Sequence, residues 1–196
     1  MAETIYSAAA LESSRNFRVL LDAMAKPGHV FELSPSLDAI GPVFATTLMV
    51  AQTLFDFQTT VWLAPELNND AVRRYLKFHT GVPLVDHLAE AAFAVVSAKH
   101  KVPPLTQFGQ GTHEYPDRST TLIIQVEGFA ADDVLLSGPG LKQPVNFGAK
   151  NLPQEFWHEM KANHQSYPLG VDVIFVSVSA IACCPRSTRI ALKESA

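Results

Sequence analysis

The residue best placed to do chemistry is Arg186, in the run Cys183-Cys184-Pro185-Arg186-Ser187-Thr188. Pro185 restrains the backbone before it, and the residues ahead are strongly apolar, so the guanidinium could be aimed as a bidentate donor at an anion. Thr188 adds a hydroxyl two positions on. A second feature, Ser137-Gly138-Pro139-Gly140, follows an apolar stretch and could turn backbone N–H groups toward a phosphate, because glycine leaves no Cβ in the way. Ser137, Gly138, Gly140, Arg186 and Thr188 are therefore the candidate anion-binding residues. Each has an ordinary structural use as well. Gly-Pro sequences commonly make turns, and Arg186 has a natural ion-pair partner in Asp172 of the preceding apolar strand.

Other chemistries find less support in the spacing. The chain has seven histidines, but His158 and His164 are six residues apart, roughly 120° away from sharing a helix face, whereas a zinc helix needs them four apart. No Cys/His cluster completes a tetrahedral metal site. Ser119-Thr120-Thr121 and Ser187-Thr188 lack a GxSxG elbow that would make a hydroxyl a nucleophile. Neither Gly109-Gln110-Gly111 nor Ser137–Gly140 has the spacing of a dinucleotide fingerprint or P-loop. Arg73, Arg74, Tyr75 and Lys77 read as a solvated helix face, with protein docking as the less common use. No residue is assigned as catalytic, and none as a metal ligand.

The elements that must position these residues alternate early in the chain. Ser13 or Ser14 can cap a helix with Phe17, Leu20, Leu21 and Met24 on its apolar stripe, ended by Lys26-Pro27-Gly28. A short strand is expected over His29 to Leu33, then a buried helix from Pro42 to about Asp56. Thr59 to Ala64 reads as a strand, and Asn68 as the cap of a helix from Asn69 to about His79. Ala91 to Ser97 is a further strand; Pro103 to Asp117 is a turn or short helix followed by a long loop. Ser119 to Val126 and Val134 to Ser137 form a hairpin candidate joined through Glu127 to Asp133. Pro153 opens a helix to about His164 with Phe156, Trp157 and Met160 apolar. Val171 to Val178 and Ile181 to Cys184 then form a central hairpin turning at Ser179-Ala180. The expected fold is α/β, a mixed β-sheet covered by helices, in one domain over 1–196.

Composition narrows the partners. The chain of 196 residues is 47% hydrophobic and 17% charged, with a formal charge of -4, so no chain-wide attraction to nucleic acid or anionic lipid is expected. No apolar run has membrane-helix length, and MAETIYSAAALESS lacks a basic start followed by an apolar core, which predicts a cytoplasmic protein. Cys183 and Cys184, adjacent in a strand, point to opposite faces and are expected as buried thiols in a reducing compartment.

Several phrases, in order and over nearly the whole chain, resemble the PhnH subunits of the bacterial carbon-phosphorus lyase system. They are FRVLLDAMAKPG at Phe17 to Gly28, LNNDAVRRYLKFHTGVPLV at Leu67 to Val85, STTLIIQV at Ser119 to Val126, LSGPGL at Leu136 to Leu141, and YPLGVDVIF with the later CPRST. The resemblance implies an accessory, non-radical subunit of a multisubunit core in phosphonate catabolism. That core uses ATP and an alkylphosphonate such as methylphosphonate to make ribose 1-alkylphosphonate 5-triphosphate. It also implies a reduced version of the pyridoxal phosphate-dependent transferase fold without its cofactor site, no cofactor, a homodimer when isolated, and the other lyase subunits as partners. A retained pyridoxal phosphate site would need Lys142 or Lys150 as Schiff-base lysine. The competing expectation is a stand-alone anion-binding enzyme using Ser137 to Gly140 and Arg186.

Overall fold

A computed structural model describes residues 8–193 of the chain. The first half of the N-terminal stretch read above for a leader, residues 1–7, lies outside the described residues, as do 194–196.

Helix α1 (Ala8–Ala25) starts ahead of the expected Ser13 or Ser14 cap. The period of its stripe is helical but the buried face is rotated: Leu20 and Ala23 are buried while Phe17 and Leu21 are about half exposed. Strand β1 (Phe31–Glu32) is all that forms of the His29 to Leu33 candidate. Helix α2 (Ala45–Leu54) begins three residues after Pro42 and buries Thr46 to Ala51 without a break. After β2 (Val61–Leu63), helix α3 (Asp70–Thr80) is capped by Asn69 rather than Asn68. The Asn69 side chain accepts from the Ala71 and Val72 amides at 3.0 Å each, filling donors that the first helical turn leaves open. Gly81 ends α3 in the left-handed region, φ 70°, which a side chain would resist.

The main sheet has six strands in the order β1-β8-β7-β4-β3-β2. In it β3 (Phe93–Ser97) and β4 (Thr121–Gln125) join β2 and β7 (Asp172–Val176) as parallel neighbours. Strand β8 (Ala180–Cys184) returns antiparallel to β7, with Val176 opposite Ile181 and Val173 opposite Cys184, and β1 closes that edge antiparallel to β8. The expected central hairpin is thus present. Its first strand stops at Val176, and Val178 is exposed. A mixed α/β sheet results.

The second expected hairpin is not formed. Strand β4 is buried between β3 and β7, whereas β5 (Phe129–Ser137) belongs to a separate sheet of order β6-β5-β9. Its partners, β6 (Val145–Ala149) and β9 (Arg189–Leu192), were not anticipated. Nearness in sequence lost to burial: Leu122, Ile123 and Ile124 are fully buried in β4, which suits a strand covered on both faces and flanked by parallel neighbours.

Aromatic side chains join the two sheets through α4 (Gln154–Gln165). Phe175 of β7 meets Phe147 of β6 at 5.5 Å and Trp157 of α4 at 5.8 Å between ring centres, and Phe147 stands edge-on to Trp157. Tilted and edge-on contacts of this kind add to the burial of large apolar rings. Where α4 returns to β7, Asn163 donates to the Val171 carbonyl and accepts from the Val171 amide. Gly170, φ 116°, lies against it, and a Cβ there would stand 2.5 Å from the Asn163 Oδ1. The frame that carries Asp172 is fixed by this pair. Among the described residues, no helix is long and apolar enough to cross a membrane.

Candidate functional site

The β7–β8 hairpin delivers Arg186 to the amino end of the parallel strands, opposite Asp172 at the start of β7. The Arg186 amide donates to Asp172 Oδ1 at 2.8 Å. Its Nε reaches both carboxylate oxygens at 3.2 Å, and Nη2 reaches Oδ2 at 2.6 Å. Nη1 donates to the carbonyls of Pro116, at 2.7 Å, and Pro168; Nη2 also donates to Ser119 Oγ. Every guanidinium nitrogen is engaged, and the ion pair is mostly buried, its side chains 13% and 16% exposed. His164 Nδ1 lies 3.1 Å from the Arg186 carbonyl.

An open depression of about 300 Å³ lies over this cluster, lined by Pro116, Asp117, Tyr167, Pro168, Asp172, Arg186 and Ser187. An anion entering it meets the Asp172 carboxylate as well as the arginine. The ordinary partner of Arg186 is the one the fold supplies. Ser119, whose hydroxyl sequence spacing left as a bystander, is one of the four residues that hold the guanidinium. No sequence signal links it to Arg186, since they are 67 residues apart.

The glycine turn sits close by but faces different neighbours. Ser137 pairs with Arg189 across β5 and β9, which sets Gly138 beside Ser187 and Thr188. Gly140 is packed so closely on α1 that a Cβ would collide with the Ala25 carbonyl. Glycine is needed there for that approach and for φ 83°. Thr188 is buried, its amide donating to the Pro185 carbonyl at 2.9 Å, and its hydroxyl has no hydrogen-bond partner among the described residues. Thus Ser137, Gly138 and Thr188 are brought together, while the Arg186 guanidinium is held by Asp172.

Burial pushes both thiols up, Cys184 to about 12 and Cys183 further, with Asp172 adding to each shift. The nearby Thr188 hydroxyl partly offsets the Cys184 shift, although its approach does not reach hydrogen-bond geometry. Both cysteines are free and buried.

At the carboxyl end of the same strands the polar cluster is neutral. Gln125, closing β4, accepts with Oε1 from the Phe44 amide at 2.7 Å and from the Thr47 hydroxyl at 2.9 Å, and donates with Nε2 to the Pro42 carbonyl at 3.0 Å. Thr46 donates to the Ser177 carbonyl at 2.5 Å. In open α/β sheets this edge is where anions usually meet a helix N-terminus. Here an amide side chain occupies the α2 N-terminus. Gln125 was not singled out from the sequence; a glutamine closing an apolar strand is the one signal that could have found it. Among the described residues, no group of three or more His, Cys, Asp or Glu could hold a metal ion.

Residues 4–191 match the family described as "Bacterial phosphonate metabolism protein (PhnH)". The chain belongs to the PhnH family. One PhnH relative, the alpha-D-ribose 1-methylphosphonate 5-triphosphate synthase subunit PhnH of Rhizobium meliloti (strain 1021), is 37% identical over 191 residues, covering 95% of this chain and 96% of the relative. A putative C-P lyase subunit protein, HtxG of Stutzerimonas stutzeri, is 29% identical over 181 residues, covering 90% and 85%. The PhnH match runs from residue 4 into β9, so it includes the Arg186 and Gln125 clusters together.

Proposed function

We propose that this chain is a non-radical accessory subunit of a carbon-phosphorus lyase core complex. With its partner subunits it is required to convert ATP and alkylphosphonate to ribose 1-alkylphosphonate 5-triphosphate in phosphonate catabolism. The observation that carries the reading is the end-to-end match to a synthase subunit, 37% identical over 95% of this chain. The engagement of Arg186 by Asp172, Ser119 and two carbonyls supports it from the structural side. A guanidinium used in this way holds a frame, and a rigid frame is what presents a docking surface.

The same reading takes the chain as one cytoplasmic domain, homodimeric when isolated, with a reduced pyridoxal phosphate-transferase fold and no cofactor. One buried apolar cluster running from Leu20 to Ile190 supports the single domain. Co-expression of a tagged copy with the other lyase subunits, followed by affinity purification and native mass measurement, tests the proposal. One stable multisubunit mass is expected; a chain that emerges alone while its partners assemble with a counterpart PhnH sinks it. The same measurement on the isolated chain reads the dimer.

The alternative, an anion site at Ser137, Gly138, Gly140, Arg186 and Thr188, draws on the adjacency of the glycine turn to Ser187 and Thr188. Phosphate titration followed by amide NMR shifts at residues 137–140 and 186–188 decides it. Shifts confined to those residues would favour the site, and a flat titration would remove it.

A further inference from the structure

The positive run Arg73, Arg74 and Lys77 is not simply spread over a convex helix face. Together with Asp70 and the segment Val82-Pro83-Leu84 it lines a cleft of about 410 Å³. Three cations face one carboxylate there, on a chain whose overall formal charge is -4. Arg73 is steadied by Asn68, whose Oδ1 accepts from Nη1 at 3.1 Å. Arg74 and Lys77 have no hydrogen-bond or ion-pair partner among the described residues. Arg74 is the converse of Arg186: the same guanidinium, with its donors open instead of spent.

The far wall is also fixed. Val61 donates its amide to the Pro83 carbonyl and accepts from the Val85 amide, so the 82–84 segment is stitched to the edge of the main sheet beside β2. The cleft is therefore framed by a capped helix and a sheet edge rather than by free loops.

We propose that this cleft binds an oligophosphate, an anion of two or more linked phosphate groups, which goes beyond the accessory-subunit reading. Residues three and four apart on a helix have Cβ atoms roughly 5–6 Å apart, so the three cations spread their charge over more than one phosphate can span. Arginine forks match phosphate oxygens in pairs, and the lysine adds a point charge. The Ala71 and Val72 amides in the first turn of α3 are already held by Asn69, so the binding rests on the side chains that line the cleft.

The test is titration calorimetry of the isolated full chain, without divalent metal, using inorganic tripolyphosphate, orthophosphate and ATP as probes. Tripolyphosphate and ATP are expected to bind more tightly than orthophosphate, and more weakly as salt rises. The double variant R73A/R74A and the single variant K77A should each weaken tripolyphosphate, the double variant by about tenfold or more. The surface variant K161A on α4 should leave binding unchanged. The same three variants keep the fold question separate, because all the altered side chains are exposed. Equal affinity for orthophosphate and tripolyphosphate, no measurable binding, or an R73A/R74A variant that binds as the parent does would each overturn the proposal. The chain is measured alone, so this result stands or falls apart from the assembly experiment.

Discussion

The two ends of the parallel strands solve the same problem with different chemistry. At the amino end, Arg186 and Asp172 are buried as charges and need Ser119 and the Pro116 and Pro168 carbonyls to complete them. At the carboxyl end, Gln125 joins α2 to the sheet with no charge at all. A buried charge gives little net stability but is costly to leave alone, whereas a neutral amide asks less of its surroundings. The amino end is thus the brittle one, and the carboxyl end the one closed to anions.

The largest expected effect comes from breaking the charged end. Arg186→Ala strands the Asp172 carboxylate, and urea denaturation should show a loss of about 3–5 kcal/mol. Replacing both partners together, as R186M/D172L, should recover much of that loss. A double variant as unstable as the single one would mean that the lost contacts to Pro116 and Ser119 dominate.

The neutral end should give a smaller loss with a different pH signature. Gln125→Ala orphans buried groups at about 1–3 kcal/mol for each that finds no water. Gln125→Glu is the sharper variant, because its carboxyl must stay protonated to donate to the Pro42 carbonyl. Folding would raise the pKa of that carboxyl. The variant should accordingly keep its stability at acidic pH and lose it as pH rises through the folded value. A Gln125→Glu chain with a flat profile would show that Pro42 had moved away.

The thiols under the charged end provide the mildest probe. Both Cys183 and Cys184 are raised by burial, Cys184 to about 12. The unfolded thiol titrates near about 8.5, so stability from these groups is complete below that pH. Above it, stability falls by up to about 1.4 kcal/mol per pH unit for each thiol until the folded value is reached. Denaturation between pH 8 and 10 should fall less steeply for Cys183→Ala and Cys184→Ala than for the parent. Thiol labelling should proceed only as fast as the chain unfolds; immediate labelling of the native chain would contradict the burial.

Much of this contrast was legible in sequence on one side and hidden on the other. Asp172 and Arg186 flank a hairpin written in local apolar runs, and their pairing follows from hairpin geometry alone. Ser119 and Gln125 act across 67 and about 80 residues, and no local pattern records such distances. The same limit explains the lost β4–β5 hairpin: two strands close in sequence were separated because Leu122 to Ile124 are apolar and fully buried, and β4 takes an interior place. Strands β6 and β9 are short, five and four residues, with an interior glycine in β6 and an arginine opening β9, so their alternation runs over too few positions to stand out in the sequence. On α1 the helical period was visible but not which of two adjacent apolar faces would be covered, because Leu20 and Leu21 differ only in what packs against them.

The Arg186 cluster also has a consequence in time. Two of its partners, Pro168 and Asp172, are 18 and 14 residues away, while Pro116 and Ser119 are 70 and 67. The longer links close across the main sheet, where β4 pairs with β7 and Thr121 stands opposite Asp172, which brings Ser119 to the start of β7. Contacts of such long sequence separation must be reached before they reward the chain, and any that form after the folding barrier slow unfolding more than they speed folding. Arg186 is in that sense a latch on the persistence of the subunit.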